Sequence, residues 1–426
     1  MRVLVWGLGY VGTVSAACLA RLGHEVIGVE PNLAKVQTLE RGCSPIKEPG
    51  LDSLVSQAVA AGSLHSTQNG TPLVTWADVS IICVGTPSAV DGTPVLTHIR
   101  DVAREIGEGL KQAERYHVVI LRSTVFPGTT RQILLPLLEQ YSHRLSGKDF
   151  GLAMNPEFMR EASAVADFFS PPYTVVGQLD CRSGDVASAL YEKIAAPLKA
   201  VGLEEAEMLK LASNAFHALK IGFANEVGRL CDRLGLDSHA VMQLVCADTK
   251  LNISAAYLEP GFAFGGSCLP KDLRSLTSNA NLLRAELPIL QSIAVSNCLQ
   301  VEETRLKIQA LNVQRVAVLG LAFKMHTDDL RESPVISLIE ALWRDGIDIN
   351  VYDPDVRLEE MFGSNREYME RHLPQIPRIL RESLDDALEG RQAVIVTQKR
   401  PEFRLAVQTL PGKIAVLDLV GLLKSR

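Results

Sequence analysis

The chain has 426 residues, 47% of them hydrophobic, enough apolar material for two or three packed domains. Its formal net charge is −6, so neither nucleic acid nor an acidic membrane surface is an expected partner, although local lysines and arginines can still hold a small anion. Eight cysteines with no C-x-x-C pair argue against a zinc knuckle or dithiol redox motif; reduced thiols in a cytoplasmic protein, and no metal site, are expected.

Arg2-Val3-Leu4-Val5-Trp6 reads as a short buried strand. Gly7-Leu8-Gly9-Tyr10-Val11-Gly12 follows, then helical spacing from Thr13 to Leu22, a stop at Gly23, and a second strand from Glu25 to Val29 that ends at Glu30. The apolar run to Ala20 superficially resembles a signal peptide, but glycines interrupt it at a meaningful spacing. Strand, G-x-G-x-x-G turn, helix, strand and acid form the setting a dinucleotide fold requires. The glycines let a pyrophosphate sit on the helix amino terminus, where free N–H groups and the dipole favour anions. Glu30 lies about 18 residues after Gly12, where a carboxylate takes ribose hydroxyls; it would repel a 2′-phosphate, which favours NAD over NADP.

The alternation continues with strands expected at Val79–Val84, His117–Leu121 and Gly151–Met154. Each ends in a polar cluster: Gly85-Thr86-Pro87, Arg122-Ser123-Thr124, and Asn155-Pro156-Glu157. In an open parallel sheet, ligands bind at that carboxyl edge. Thr86 and Thr124 are therefore candidates to touch cofactor or a reacting water, and Glu157 and Glu161 to meet substrate. The alternative for each threonine is an ordinary helix cap. A further strand is expected within Pro171–Gly177.

From about Leu203 to Leu234 the spacing is helical for eight or nine turns and largely apolar, with Met208, Leu211, Phe216, Leu219, Ile221 and Phe223 on several sides. Such a helix is expected to be buried between domains or subunits. Lys210, Asn214, His217 and Asn225 fall within an arc of about 80° at 100° per residue, spread over roughly 22 Å of axis. That stripe suits an extended ligand. A shorter helical segment, Asp237 to Cys246, leads towards Phe264-Gly265-Gly266-Ser267-Cys268-Leu269-Pro270-Lys271-Asp272. There, two glycines permit close approach to a ligand, a thiol follows, and Lys271 stands where a cation would favour the thiolate. The alternative is a turn holding a buried structural cysteine. A long helical stretch is expected from Asp272 to about Leu311.

Val313–Leu319 begins a second, smaller α/β unit, with further strands expected at Asp348–Tyr352, Ala393–Thr397 and Ile414–Leu417. It lacks the three-glycine turn, and Lys324 and Arg331 are its candidate phosphate cations.

Taken in order, Gly-Leu-Gly-Tyr-Val-Gly at 7–12, Val-Gly-Thr-Pro at 84–87, Arg-Ser-Thr-Val at 122–125, Asn-Pro-Glu-Phe at 155–158, Lys210 with Asn214, the cysteine turn at 264–272, and Phe-Lys…Asp-Asp-Leu-Arg-Glu-Ser-Pro at 323–334 resemble the UDP-glucose/GDP-mannose dehydrogenase family. The likeness covers essentially the whole chain and leans to the family's GDP-mannose branch. It implies two Rossmann-like parallel-sheet domains joined by a long central helix and a helical dimerisation region: residues 1–200 for NAD, 201–300 for dimerisation and the cysteine, 301–426 for the sugar nucleotide. It also implies a homodimer, with part of each substrate site supplied by the partner.

The activity implied is a four-electron oxidation of a sugar-nucleotide C6 hydroxyl to the uronate with NAD, through a thiohemiacetal and thioester on Cys268. By that resemblance Lys210 and Asn214 meet the oxyanion and water, while Thr124, Glu157 and Asp272 assist water activation or proton transfer. Glu161, Lys210, Asn214, His217, Asn225, Tyr257, Phe262, Gly265 and Lys324 match sugar-nucleotide positions. Gly7, Gly9, Tyr10, Val11, Gly12, Glu30, Lys35, Thr86, Thr124, Lys271 and Arg331 match NAD positions. Ala256 and Glu259 replace a tyrosine and an arginine of the GDP-mannose pattern, which keeps a UDP-sugar open as the alternative substrate. A one-hydride alcohol dehydrogenase and a non-catalytic sugar-nucleotide-binding protein are the competing classes. Cys268 and the second nucleotide domain speak against the first, and Lys210, Asn214, Cys268 and Asp272 against the second.

Overall fold

Runs of β-branched and aliphatic residues, each cut off by glycine, proline or a polar cluster, form the strands of this chain, for which a computed structural model describes residues 1–87, 94–254, 256–258, 261–266, 269–322, 325, 327, 330–359 and 363–423. Cys268 and Lys324 lie outside the described residues. Two compact units divide the chain at 218/219.

The first unit holds β1 (Arg2–Trp6), β2 (Glu25–Val29), β3 (Leu64–Thr67), β4 (Val79–Ile82), β5 (His117–Leu121), β6 (Phe150–Met154), β7 (Thr174–Gln178) and β8 (Leu198–Gly202) in one sheet, ordered β3-β2-β1-β4-β5-β6-β7-β8. The first six strands are parallel in the 3-2-1-4-5-6 order of a doubly wound dinucleotide fold. β7 pairs antiparallel with β6, through Met154 and Gly177, and β8 then runs parallel to β7. Alternate side chains of β1 enter different apolar layers. Val3 and Val5 pack with Val14 and Leu19 on one face, Leu4 and Trp6 with Ile99 and Leu138 on the other. Such two-faced burial needs strands that are apolar throughout, and full burial of a leucine-sized side chain contributes about 1.5–3 kcal/mol. The expected strand at Pro171–Gly177 starts only at Thr174, since prolines have no N–H to give a ladder.

A helix spans Leu203–Leu234, with Glu204 and Glu205 in its first turn and Arg233 in its last, charges that suit its dipole. Its expected all-round burial is not found within the chain. Met208, Phe216, Leu219 and Ile221 are all exposed.

In the second unit the helix expected from Asp272 to Leu311 is two helices, Leu269–Leu282 and Pro288–Ala310. Pro288 cannot continue a preceding helix, and Leu287 before it takes φ −128° and ψ 63°, which starts a new one. Strands β9 (Arg315–Leu319), β10 (Asp348–Tyr352), β11 (Ala393–Val396) and β12 (Ala415–Asp418) form a parallel sheet ordered β10-β9-β11-β12. Among the described residues no helix is long and apolar enough to cross a membrane.

Candidate active site

The β1 turn is built by its glycines. Gly7 sits at φ 93°, and a Cβ on Gly12 would lie 1.8 Å from the Gly7 carbonyl oxygen. Gly9 is the N-cap of the helix Tyr10–Arg21, no side chain caps that helix, and nothing stands within 4 Å of where a Gly9 Cβ would be. The first-turn amides, Tyr10 and Val11 among them, are thus left without a side-chain cap. Glu30, buried at the end of β2, accepts the Leu8 N–H through Oε2 at 2.9 Å and the Asn32 N–H through Oε1 at 3.2 Å. Lys35 Nζ lies 3.6 Å from Glu30 Oε2 and donates to the Leu8 carbonyl at 3.4 Å. Gly7, Gly9, Glu30 and Lys35 line one cavity of about 620 Å³ with Val84 and Gly85. An open helix amino terminus beside a fixed carboxylate fits a dinucleotide's pyrophosphate and ribose. The Tyr10 side chain points elsewhere. Its hydroxyl donates to Glu48, and burial together with that carboxylate pushes the phenol up to about 12.

At the ends of β4 and β5, Thr86 Oγ1 donates to the Thr124 carbonyl at 2.8 Å and Ser123 Oγ to that of Val84 at 2.6 Å. The turn after Thr124 is held by Glu207, fully buried on the helix Leu203–Leu234. Its carboxylate accepts the N–H of Gly128 at 2.6 Å, the N–H of Thr130 at 2.7 Å and the Thr130 hydroxyl at 2.6 Å. One turn along the same helix, Lys210 Nζ lies 2.8 Å from Glu157 Oε1, both side chains nearly buried. Glu157 Oε2 accepts the Met159 N–H at 2.8 Å, and the Lys210 ammonium stands 5.7 Å from the Phe158 ring centroid. Beneath them the buried Arg122 guanidinium donates to Asn155 Oδ1 and to the Tyr191 hydroxyl, while Asn155 Nδ2 donates to the Val175 carbonyl. Glu157, Phe158, Ser213 and His217 line a cavity of about 390 Å³.

Glu157 and Lys210, each expected at the site, thus meet directly, with His217 at the same cavity. Asn214 is exposed on the helix, as is Glu161 on the loop after β6. Sequence reasoning missed Glu207 and Glu48, and it placed Arg122 in a strand-end cluster without giving it a role. Arg122 and Glu48 are charges in turns, and Glu207 follows two other glutamates in the acidic opening Leu203-Glu204-Glu205-Ala206-Glu207, where nothing local singles it out.

In the second unit, Asn297 clamps the backbone of Phe264, accepting its N–H at 2.9 Å and donating to its carbonyl at 2.8 Å, while Gln300 donates to the Gly261 carbonyl at 2.6 Å. A Cβ on Gly265 would come within 2.3 Å of the Glu332 carbonyl oxygen, so only glycine fits there. Tyr257, at φ 63° and largely exposed, lines a groove with Phe262 and Asn297. Lys271 and Asp272 open the helix Leu269–Leu282 and pair with each other at 3.2 Å in solvent. Asn225 is exposed and Arg331 is half-buried.

Residues 1–195 match the NAD binding domain of the UDP-glucose/GDP-mannose dehydrogenase family, residues 204–298 its central domain, and residues 317–425 its UDP binding domain. A GDP-mannose 6-dehydrogenase of Pseudomonas putida is 44% identical over 99% of this chain and 96% of its own length. A UDP-glucose 6-dehydrogenase of Haloferax volcanii is 36% identical over 95% and 92%. Among solved structures, a ternary complex of GDP-mannose dehydrogenase from Pseudomonas aeruginosa superposes with a TM-score of 0.96 at 42% identity, covering 99% of this chain and 97% of that one.

Proposed function

The chain belongs to the UDP-glucose/GDP-mannose dehydrogenase family, and from that premise we propose that it oxidises the C6 hydroxyl of GDP-mannose to the carboxylate, giving GDP-mannuronate at the expense of two NAD. The observation that carries the reading is the buried ion pair of Lys210 and Glu157 beside the strand ends of a dinucleotide fold. Burying two opposite charges is costly unless each is held by further partners, and here the Met159 amide and the Phe158 ring supply them. Similarity to GDP-mannose 6-dehydrogenases over nearly the full chain supports the sugar.

Bound on the first-turn amides with its ribose on Glu30, NAD supplies the hydride acceptor for both oxidations. The chain's own groups do the rest. Lys210, a fixed cation, stabilises the oxygen that gains charge when a nucleophile adds to the C6 carbonyl. The Cys268 thiolate is that nucleophile: it adds to the aldehyde to give a thiohemiacetal, which retains the intermediate until the second hydride leaves and a thioester remains. Water attacks the thioester, its proton passing to Glu157, and the Cys268 thiolate departs as the uronate forms. Thr124 and Asn214 orient that water and Asp272 takes part in proton transfer. Glu161, His217, Asn225, Tyr257, Phe262, Gly265 and Lys324 hold the sugar nucleotide, and Lys35, Thr86, Lys271 and Arg331 hold NAD. The reading divides the chain into an NAD domain, a central helical domain and a sugar-nucleotide domain. It puts the reaction in the cytoplasm, in keeping with described cysteines that are all free. A second copy of the chain is the partner, covering Leu219 and Ile221 together with Leu244, Val295 and Leu299 of the neighbouring helices, all exposed.

Ala256 and Glu259 favour a second reading, oxidation of UDP-glucose by the same steps. The test is NADH formed per mole of limiting sugar nucleotide, run on both. About two equivalents from GDP-mannose are expected, as a thioester route consumes two NAD per sugar. Two from UDP-glucose alone would keep the chemistry and replace the substrate. One from either would remove the thioester.

A further inference from the structure

Glu48 stands in Glu48-Pro49-Gly50, a stretch that reads as a turn ahead of the helix Leu51–Ala60. Its side chain is nonetheless buried and accepts from three donors. One is the Ala162 N–H at 2.9 Å, in the loop after β6, and another the Ala164 N–H at 2.8 Å, at the start of the helix Ala164–Phe169; the third is the Tyr10 hydroxyl from the cofactor turn. The Glu48 backbone is fixed in turn. Its carbonyl accepts the Leu51 N–H, Pro49 restricts it from the following side, and Asp52 Oδ1 holds Ser44 at the head of the same loop.

Ala162 lies at φ 67°, in the left-handed region that an alanine enters only at a cost. It follows Glu161 directly and comes five residues after Glu157. No glycine eases the turn. Within the segment Asp167 accepts the Arg160 N–H and the Ser163 hydroxyl, and from outside it Glu48 accepts the Ala162 and Ala164 N–H groups, one on each side of the strained Ala162 Cα. We infer that Glu48 is a positioning residue that ties the cofactor turn to the substrate-side loop, holding Ala162 and hence Glu161 in place and using the Tyr10 hydroxyl as its anchor. The inference rests on the functional reading above, in which the loop after β6 meets the sugar nucleotide. It gives the Tyr10 side chain a task on the substrate side, although its backbone belongs to the cofactor turn.

Glutamine cannot replace Glu48. It offers one acceptor oxygen and an NH₂ that would face donors already pointing at it. In steady-state kinetics, Glu48→Gln is expected to raise the KM for GDP-mannose ~10-fold with kcat and the KM for NAD each within about twofold of wild type, as for lost uniform binding of one substrate, and Tyr10→Phe to raise the KM for GDP-mannose ~3-fold. Adding Ala162→Gly to Glu48→Gln should return the GDP-mannose KM to within ~3-fold of wild type, because glycine takes φ 67° unaided. A general loss of structure would not be rescued by that glycine and would not spare the KM for NAD. A larger change in the KM for NAD than for GDP-mannose, unchanged kinetics in both single variants, or no rescue would overturn the inference. Should Glu48→Gln fail to fold, Tyr10→Phe decides alone, since it deletes only a hydroxyl. No NADH from the wild-type chain on either sugar nucleotide would remove the functional reading and the inference with it, whereas normal wild-type turnover with an unmoved split removes the inference alone.

Discussion

The two sheets of this chain begin with the same device and put it to different ends. In the first unit Gly7, at φ 93°, closes β1, and Glu30 at the end of the neighbouring strand accepts the next N–H, that of Leu8. In the second, Gly320, at φ 105°, closes β9, and Asp353 past the end of β10 accepts the N–H of Leu321 at 2.7 Å and of Ala322 at 3.0 Å. There the likeness stops. Behind Gly7 a helix starts at Tyr10 with its amides open, whereas behind Gly320 the next helix starts at Pro334. Glu30 borders a cavity. Asp353 is wholly buried, bonded by Gln398 Nε2 at 3.0 Å and faced by the Arg400 guanidinium at 3.7 Å. A strand, a glycine and an acid are therefore only a frame. Whether they make a dinucleotide site depends on what fills the space beneath the acid, and in the second unit Gln398 and Arg400 fill it.

The most direct test of that contrast is Gly12→Ala. Its Cβ would meet the Gly7 carbonyl oxygen at 1.8 Å, backbone against backbone, with no flexible side chain to yield. NADH affinity, read by fluorescence titration, should fall roughly 30-fold or more, since overpacking of this kind costs upward of about 2 kcal/mol. Retained affinity would mean that the cofactor does not lie on this turn.

A second contrast compares the cations facing the two acids. Arg400→Met leaves Asp353 buried without its charge partner and should destabilise the chain by about 3–5 kcal/mol, seen as an earlier thermal unfolding transition. Lys35→Met removes a partly exposed partner of Glu30 and should cost less than about 1 kcal/mol, while weakening NADH binding. Equal losses of stability from the two substitutions would erase the distinction between a structural and a ligand-facing acid.

How far this was legible in the sequence follows from what is local. β1, β2, β5 and β10 carry their own apolar runs and stops, and the helix Leu203–Leu234 its own spacing, so each could be read with its bounds. β3 is Leu-His-Ser-Thr and β8 is a largely exposed Leu-Lys-Ala-Val-Gly, and neither has an apolar run to announce it. The antiparallel pairing of β6 with β7 is set by the path between them, which no periodicity records. The site divides the same way. Gly7, Gly12 and Glu30 form one local pattern. Lys210 and Glu157 were each legible as a polar residue in an expected place, but their contact joins positions far apart in the chain. Glu48 gave no signal of its own, because its three donors come from two distant segments.

The smallest expected effect concerns acidic pH, where each unit carries a comparable surface pair. Arg160 Nη2, in the loop that follows β6, lies 2.7 Å from Asp167 Oδ1 on the helix Ala164–Phe169, and Arg305 Nε lies 2.6 Å from Asp345 Oδ2 in the second unit. The hydrogen bond from Arg160 holds the Asp167 carboxyl down at about 2, and that from Arg305 likewise lowers Asp345. A carboxyl whose folded value lies below its unfolded one adds stability that is fully present above the unfolded value, about 3.8. That stability is lost as pH falls towards the folded value. Asp167→Asn should therefore lower the unfolding temperature at pH 6, and the gap to wild type should close between about pH 4 and pH 2. Arg160 is largely exposed, so the gap should correspond to no more than about 1 kcal/mol. Asp167 differs from Asp345 in also accepting the Arg160 N–H at 2.9 Å and the Ser163 hydroxyl at 3.0 Å, which shapes the loop bearing Glu161 and Ala162. Asp167→Asn should for that reason raise the KM for the sugar nucleotide, whereas Asp345→Asn should leave it unchanged. If both leave it unchanged, the loop after β6 is held by Glu48 alone.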